Sequence, residues 1–566
     1  MRRPPVRRPL PTPARLARGA AGALVLGLAA SALCVVAVAP ARAADFDPVP
    51  HRVVDANPGA ADSRPTEVVT LGSRVIYNAE SGTAGVELWS SDGTGRGTRM
   101  VKDLRPGGNS YPYHLLTVGA RVFFTADDGI HGRELWVTDG SAAGTRLVRD
   151  ISSGTASGEP DQLVAVGGTV YFTATDPFNG RELWRSDGTV AGTSLVSDIG
   201  PGSDDAGIQA LTRWGTSLVF SADGAGGAEP WVSNGNPGPG TQKLGDINPA
   251  GSSVPRNFTV LGSRILFTAQ SSDGNRELWR SDGTLPVLVK ETLPGATGNG
   301  QQELVALGDQ VFFNADDGAN GDELWATDGT TAGTHMVADI RSGAGDSDPG
   351  FLTVYRGSVY FSASTAQNAH QLWATGGTAA TTRLVKEHDA GPGPDRMLVV
   401  AGTLFYSGAS SALGRELWQT DGTTAGTRIT KDASPGPTDG YGQPVAGVSR
   451  TLFFSARDAA GIELWAYTTL RSTTGAKRKV VATRRAAAKR RIRVPVVVRA
   501  TGAVPSGVVV LRKGSRVLGT ATLRGGKATI RITKRLRKGT HRLRVHYAGS
   551  VHASTSRSKV VRVVVR

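Results

Sequence analysis

Tryptophan recurs at a nearly constant interval along most of this 566-residue chain. Nine of the ten tryptophans lie 45 to 48 residues apart, and Trp214 alone falls outside the series. The nine are Trp89, Trp136, Trp184, Trp231, Trp279, Trp325, Trp373, Trp418 and Trp465. A period of about 40 to 50 residues is typical of arrays in which each copy is one supersecondary unit. The interval therefore predicts nine structural repeats within residues 44–468.

Each copy contains four short runs of β-type residues. Around Trp136 these runs are HLLTVGA, RVFFTADD, ELWVTDG and TRLVRDI. Runs of this length, bounded by glycines and aspartates, favour strands over helices. Four antiparallel strands in a repeat of this size are typical of a propeller blade. The sequence predicts an all-β fold with a β-propeller of four-stranded blades.

The fourth run is missing after Trp465, where the chain continues as AYTTLRSTTG. The segment HRVVDANPG, before the first copy, has the pattern of a fourth run. We therefore expect this N-terminal strand to complete the last blade and to close a ring of about nine blades. The alternative is an open array, which would leave an unpaired strand edge.

The repeated motif also points to a family. ELWRSDGT occurs at Glu182 and at Glu277, and ELWATDGT occurs at Glu323, whereas the copy at His370 departs from this pattern. These copies resemble the bacterial ELWxxDGT repeat proteins across roughly residues 52–465. The resemblance implies an exported repeat protein and brings no particular reaction with it.

Residues 1–43 have the pattern of a signal peptide: a basic start, an apolar stretch from Gly22 to Ala39, and Ala41-Arg42-Ala43 as a cleavage site. Sec and twin-arginine export both remain open. Cys34, the single cysteine, lies in this segment, so the mature chain would have neither disulfides nor a catalytic thiol. No later run has the roughly 20 apolar residues of a transmembrane segment. We expect a secreted, extracellular protein, with association to the cell envelope as an option.

Charge divides the chain into two parts. Residues 466–566 contain 27 lysines and arginines and no acidic residue, whereas residues 44–465 carry a net charge of −18. An asymmetry of this size indicates at least two domains with different roles.

The basic tail resembles a bacterial Ig-like domain. The most typical part is GTHRLRVHYAGSVHASTS, which contains Tyr547 and Gly549, although Ser550 stands where an acidic residue is usual. The resemblance implies a small Ig-like β-sandwich at residues 491–566, without the cysteine pair of antibody domains. Residues 469–490 are predicted to be a basic linker or a loosely attached first strand.

Two features of the repeat could form sites. Glu134 and Trp136 could be a carboxylate beside an aromatic sugar platform, but a tryptophan present in every copy favours packing between blades. Asp-Gly pairs favour tight turns. These pairs begin at Asp92, Asp139, Asp187, Asp282, Asp328 and Asp421.

Doubled aspartates offer a possible metal site. Asp127 with Asp128, and Asp316 with Asp317, could supply oxygens to Ca²⁺, although no copy has alternating aspartates as in a calcium loop. No other cofactor is expected. The nine histidines are scattered without metal-ligand spacing.

These features favour a non-enzymatic binding or scaffold protein at the cell surface. The propeller would present a protein- or glycan-binding surface, and the basic tail would associate with anionic envelope polymers. Specific nucleic-acid binding is not expected, because few aromatic residues interleave with the charges. Two alternatives remain: the tail docks on its own acidic propeller, or the protein is an exported polysaccharide hydrolase or lyase with a site at the pore. A binding site is expected where copies differ, as at Pro230, Gly376 or the doubled aspartates.

Overall fold

The computed structural model describes residues 49–224, 226–293, 303–365, 370–389, 391, 393–469, 472–476, 479–483, 486, 492–500, 507–547 and 556–566. The predicted signal peptide, residues 1–43, lies outside the described residues, as does Cys34. The described elements include 45 strands and two short 3₁₀ turns, Ala379–Thr381 and Thr424–Gly426, which confirms the all-β prediction. Within this part of the chain, no helix is long and apolar enough to cross a membrane.

Nine four-stranded antiparallel sheets follow one another along the chain. The first strand of the chain, β1, is His51–Arg52. Blades 1 to 3 consist of β2 (Val68–Leu71), β3 (Arg74–Ser81), β4 (Gly85–Ser91), β5 (Arg99–Lys102), β6 (Tyr113–Val118), β7 (Arg121–Asp127), β8 (Arg133–Thr138), β9 (Arg146–Arg149), β10 (Asp161–Val166), β11 (Thr169–Asp176), β12 (Gly180–Ser186) and β13 (Ser194–Ser197). Blades 4 to 6 consist of β14 (Gln209–Trp214), β15 (Ser217–Gly224), β16 (Gly227–Ser233), β17 (Thr241–Lys243), β18 (Arg256–Leu261), β19 (Arg264–Gln270), β20 (Arg276–Ser281), β21 (Val287–Lys290), β22 (Leu304–Leu307), β23 (Gln310–Asp316), β24 (Asp322–Thr327) and β25 (His335–Ala338). Blades 7 to 9 consist of β26 (Gly350–Tyr355), β27 (Ser358–Ser364), β28 (His370–Thr375), β29 (Arg383–Lys386), β30 (Asp395–Val400), β31 (Thr403–Ser410), β32 (Gly414–Thr420), β33 (Arg428–Lys431), β34 (Gln443–Val448), β35 (Thr451–Asp458) and β36 (Gly461–Thr468), with β1 as the fourth strand of blade 9.

The first strand of each blade lies against the first strands of the two neighbouring blades. These contacts run from β2 through β34 and back to β2, so the first strands form the inner wall of a closed ring. The ring closes where β1 pairs with β36, with His51 opposite Ala466 and Arg52 opposite Trp465. The predicted nine-bladed propeller, closed by the N-terminal strand, is confirmed.

The cores lie between neighbouring blades. Trp136 of blade 2 is 5% exposed and packs with Ile76 and Leu88 of blade 1. The second strand of each blade is buried on both faces, as the pattern of β7 shows, because a blade stands on either side of it. Six of the repeat tryptophans are buried, and Trp231, Trp279 and Trp373 are half-buried. Stacked blades therefore supply the burial that one four-stranded sheet cannot provide alone.

The basic tail forms two sheets over a separate apolar core. Its strands are β37 (Ser472–Ala476), β38 (Lys479–Ala482), β39 (Arg493–Ala500), β40 (Val508–Lys513), β41 (Arg516–Thr522), β42 (Lys527–Arg531), β43 (Gly539–Tyr547), β44 (Ser556–Arg557) and β45 (Val561–Val565). One sheet has the order β37-β39-β42, and the other has the order β38-β45-β43-β40-β41, with β44 paired to β43.

Residues 469–490, assigned from the sequence to a linker or a loosely attached first strand, contribute strands to both sheets. Strand β37 pairs with β39, and β38 pairs in parallel with β45. The sandwich therefore begins before residue 491, the boundary predicted from the sequence.

Candidate functional site

The glutamate of each ELW motif is a buried structural carboxylate. Glu134 is 0% exposed, and its Oε1 accepts hydrogen bonds from the backbone N–H groups of Ser152 at 3.1 Å and Gly158 at 2.8 Å. Both donors belong to the connection from blade 2 to blade 3. Seven further glutamates hold the next connection in the same way: Glu87, Glu182, Glu229, Glu277, Glu323, Glu416 and Glu463. The structure therefore places Glu134 away from any open sugar platform.

Burial raises the pKa of seven of the carboxyls against the hydrogen bonds that they accept: Glu87, Glu134, Glu182, Glu277, Glu323, Glu416 and Glu463. The pKa is raised to about 7 at Glu134, Glu182, Glu416 and Glu463. Blade 7 has a neutral Gln371 at this position, which accepts from the N–H of His388 and donates to its carbonyl. The sequence motif showed the strand that carries the glutamate but not the connection that it holds.

The Asp-Gly pairs form turns, as the sequence predicts. Asp139 Oδ1 accepts from the N–H of Ser141 at 2.9 Å and from its hydroxyl at 2.6 Å, while Gly140 has φ 86°. The residues at two positions where copies differ from the motif also have structural roles. Pro230 is buried within β16, and the N–H of Gly376 donates to Thr381 Oγ1 in the corresponding turn of blade 7.

The doubled aspartates are occupied by their own turns. Asp128 Oδ1 accepts from two backbone N–H groups, and its Oδ2 lies 2.8 Å from His131 Nδ1. Asp127 and Asp316 each accept from the glycine two positions later, and Asp317 accepts from the backbone and side chain of the following loop. The two pairs lie on different blades, 2 and 6. Among the described residues, no group of three or more His, Cys, Asp or Glu could hold a metal ion.

Carboxylates at the start of the inner strands are tied to neighbours rather than paired with each other. Glu67 and Glu303 accept from the backbone N–H groups of Leu115 and Leu352 of the next blade. Asp161 lies 3.3 Å from His114 Nδ1, and Asp395 pairs with Arg415. These four groups form cross-links between and within blades.

A bulge interrupts most inner strands near their start, where the register with the second strand shifts. The residue at the bulge has a left-handed backbone although it is not glycine, a conformation that costs about 1–2 kcal/mol. Such residues occur in six blades: His114, Gln162, Ala210, Asn257, Phe351 and Arg396, with φ between 45° and 57°. A second left-handed position lies three residues earlier, at Tyr111 for example. Both positions lie on the side of the ring where one blade connects to the next, which we call the connection face.

The Ig-like domain presents a row of positive charges on its six-stranded sheet. Arg542 on β43 lies directly opposite Arg562 on β45, which in turn lies opposite Lys479 on β38. Arg544 on β43 lies opposite Arg512 on β40. We call these five residues the basic sheet face; four are exposed and Arg512 is half-buried. His546 lies on the same face, and burial together with Arg557, Arg512 and Arg544 lowers the pKa of its imidazole.

Solved structures similar to the chain include two enzymes and the β-propeller domain of a protease. A puromycin hydrolase matches with 14% identity and a TM-score of 0.34, over 62% of this chain and 58% of that chain. A match to prolyl endopeptidases has 10% identity and a TM-score of 0.38, over 69% of this chain and 54% of that chain. The β-propeller domain of the Trilobed protease from Pyrococcus furiosus matches over its whole length and 58% of this chain, with 11% identity and a TM-score of 0.32. The chain thus spans little more than half of the puromycin hydrolase and prolyl endopeptidase chains, and the likeness concerns the fold alone.

No curated protein matches the chain. The family comparison concerns the tail, where residues 480–566 match the model described as "Bacterial Ig-like domain (group 3)". The match begins within β38, in agreement with the strand pairing described above. Residues 480–566 of this chain are a bacterial Ig-like domain of group 3.

Proposed function

We propose that the protein is an exported, non-enzymatic binding protein whose Ig-like domain attaches it to an anionic polymer of the cell envelope. The propeller then presents a binding surface to a second partner. The observation that carries this proposal is the basic sheet face, where cross-strand register sets Arg542 opposite Arg562 and Arg544 opposite Arg512.

Like charges directly opposite one another destabilise a sheet, by an amount comparable to the roughly 0.2–1 kcal/mol of other cross-strand pairs. Residues 466–566 contain no aspartate or glutamate, so no side chain of the domain itself offsets this repulsion. A phosphate- or carboxylate-bearing polymer offsets it, because guanidinium groups bind such anions in a bidentate geometry and binding releases counterions. The charge arrangement therefore favours a polyanion ligand.

The opposite sheet of the same domain provides a matched control surface. Arg493 on β39 lies opposite Arg531 on β42, so a like-charge pair occurs there too. That pair spans two strands, whereas Arg562 joins Arg542 and Lys479 in a row across three strands. A linear polymer therefore has a longer track of charge on the basic sheet face.

The propeller supports the non-enzymatic part of the proposal. Its inner-strand carboxylates are engaged in cross-links, and its ELW glutamates hold connections between blades. Export rests on the signal pattern of residues 1–43.

The test is binding of the full chain to immobilised long-chain polyphosphate across a salt series from about 50 mM to about 500 mM. We expect retention to fall steeply with salt. The double variant Arg542→Gln/Arg562→Gln should lose about tenfold in affinity, and the slope of log affinity against log salt should fall by about 2, one for each contact removed.

The control is Arg493→Gln/Arg531→Gln, which removes the same charge from the opposite sheet and should lose less than about threefold. Equal losses in the two variants would mean that net charge alone causes retention, and the assignment to this face would be wrong. Absence of retention at the lowest salt would contradict polymer binding and favour docking of the tail on its own propeller.

A further inference from the structure

Five consecutive blades place an exposed aromatic or arginine side chain at the left-handed positions of the connection face. These residues are, in order around the ring from blade 7 to blade 2, Phe351, Arg396, Tyr441, Arg64 and Tyr111. Aromatic and arginine side chains therefore alternate over five of the nine blades. We call this set the aromatic–arginine arc.

The remaining blades differ at the same positions. Blade 3 has Glu159 and Gln162, blade 4 has Gly207 and Ala210, and blade 5 has Val254 and Asn257. Of blade 6, the structure describes Glu303 at one of the two positions. The described residues at these positions in blades 3 to 6 are thus neither aromatic nor basic, so the arc is a feature of one side of the ring.

Exposure sets the arc apart from packed residues, whereas its left-handed backbone is shared with blades 3 to 5. Phe351 is 47% exposed, Tyr111 41% and Tyr441 38%. All five arc residues have φ between 45° and 64°, where glycine is favoured and a side chain is strained. Blade 4 has Gly207 at the position of Tyr111, so the fold accepts glycine there. A strained, exposed tyrosine contributes little to packing, which indicates a role in binding.

Neighbouring side chains orient the tyrosine rings. The guanidinium of Arg457 lies 5.0 Å from the centre of the Tyr441 ring and covers one face of it. Tyr111 lies parallel to the exposed Tyr113, with ring centres 6.3 Å apart, and Arg133 lies over Tyr113 at 5.7 Å. Asn109 donates to the Tyr111 hydroxyl at 3.1 Å. The rings are thus held in place while Tyr441 and Tyr111 both stay exposed.

From this arrangement we propose that the aromatic–arginine arc binds a neutral polysaccharide. The C–H faces of pyranose rings stack on exposed aromatic rings, and planar guanidinium groups donate hydrogen bonds to neighbouring hydroxyls. Alternating ring and donor positions fit a chain of repeating sugars. The net charge of −18 over residues 44–465 disfavours binding of a polyanion to the propeller. The proposed ligand therefore differs in charge from the polymer bound by the Ig-like domain.

The experiment uses the full chain with five neutral probes: cellohexaose, laminarin, xylan, mannan and dextran. Isothermal titration calorimetry is carried out in the presence of saturating polyphosphate, so that the basic sheet face is already occupied. We expect at least one probe to bind with an affinity that changes less than about twofold across the same salt range, because stacking involves no counterion release.

Variants then assign the site. Tyr111→Gly/Tyr441→Gly should lower the affinity at least about tenfold while leaving the melting temperature unchanged or higher, because glycine relieves the left-handed strain. Tyr111→Phe/Tyr441→Phe retains both rings and should stay within about threefold of the parent. Phe178→Ala removes an aromatic side chain that is 81% exposed outside the arc and serves as the matched control.

Three results would overturn the proposal: no binding to any of the five probes, equal loss in Phe178→Ala, or binding that survives the double glycine variant. None of them bears on the polyphosphate arm, which tests the Ig-like domain. The two proposals therefore fail independently.

Discussion

Ser63 Oγ donates a 2.7 Å hydrogen bond to Glu463 Oε2, although 400 positions separate the two residues in the chain. The backbone N–H groups of Ser63 and Ala56 donate to the same carboxyl at 3.2 Å. Beside them, Arg52 pairs with Asp458 at 3.0 Å. In seven other blades an equivalent glutamate holds a continuous connection, and in blade 7 Gln371 does so, whereas Glu463 holds the N-terminal segment against the last blade. One repeated carboxyl thus closes the ring.

Replacing Glu463 should open the ring where β1 pairs with β36. Glu463→Ala leaves three donors without their acceptor, and each buried donor left unsatisfied costs about 1–3 kcal/mol. We expect faster amide exchange in residues 51–63, measured by hydrogen–deuterium exchange mass spectrometry. The control is Glu134→Ala, which removes the same group where the chain is continuous and should leave residues 51–63 protected. Unchanged exchange in Glu463→Ala would contradict the closing role.

The stability of the propeller should fall as pH rises. Burial raises the pKa of Glu134 from 4.5 to about 7, so the folded state holds the proton more tightly than the unfolded chain. The stabilisation from this proton is fully present below about pH 4.5 and is lost as pH rises through about 7. Glu182, Glu416 and Glu463 add to the effect. We expect a lower melting temperature at about pH 8 than at about pH 5.5, measured by calorimetry.

Glu134→Gln should reduce that pH dependence without loss of the fold. Gln371 occupies the equivalent position in blade 7 and bonds to both the N–H and the carbonyl of His388. The difference in melting temperature between the two pH values should therefore shrink in the variant. Glu159→Gln, at a carboxylate that is 56% exposed, is the control and should leave the difference intact. An unaltered difference in Glu134→Gln would show that this carboxyl is not the titrating group.

Removal of a repeat tryptophan should destabilise the chain according to its burial. Trp136→Ala empties a site between blades 1 and 2, where the side chain is 5% exposed, and should lower the free energy of unfolding by about 3–5 kcal/mol. Trp373 is half-buried, so Trp373→Ala should have a smaller effect. Denaturant titration followed by fluorescence of the remaining tryptophans measures both. A larger loss in Trp373→Ala would contradict the packing role.

Binding of a polyanion should raise the pKa of His546. Its pKa is lowered by burial and by the guanidinium groups of Arg557, Arg512 and Arg544, so neutralising those groups favours the protonated ring. Histidine-selective NMR of the full chain, with His546→Gln to assign the signal, follows the titration with and without polyphosphate. The signal of His335, an exposed histidine of the propeller, is the control and should be unchanged by polyphosphate. A pKa of His546 that does not rise would argue against a ligand on the basic sheet face.

Local pattern was enough to predict the architecture. Trp136 and its eight counterparts report the blade period, and the short strand at His51–Arg52 supplies the fourth strand missing after Trp465. Alternation along single strands and Asp-Gly turns are properties of neighbouring residues, so they can be read without the fold. The Ig-like fold of the tail was also predicted from the residues of the tail alone.

The candidate sites depended on contacts that the local pattern does not contain. Lys479, Arg562 and Arg542 form one row only because three strands from distant parts of the chain pair in a particular register. The arc from Phe351 to Tyr111 depends on ring closure and on left-handed backbone positions, and no local sequence motif predicts either of them. Sequence by itself determined the repeat, the blade number and the charge division, because these depend on neighbouring residues. Tertiary structure alone decided which side chains meet, because register and loop conformation are set by packing between elements far apart in the chain.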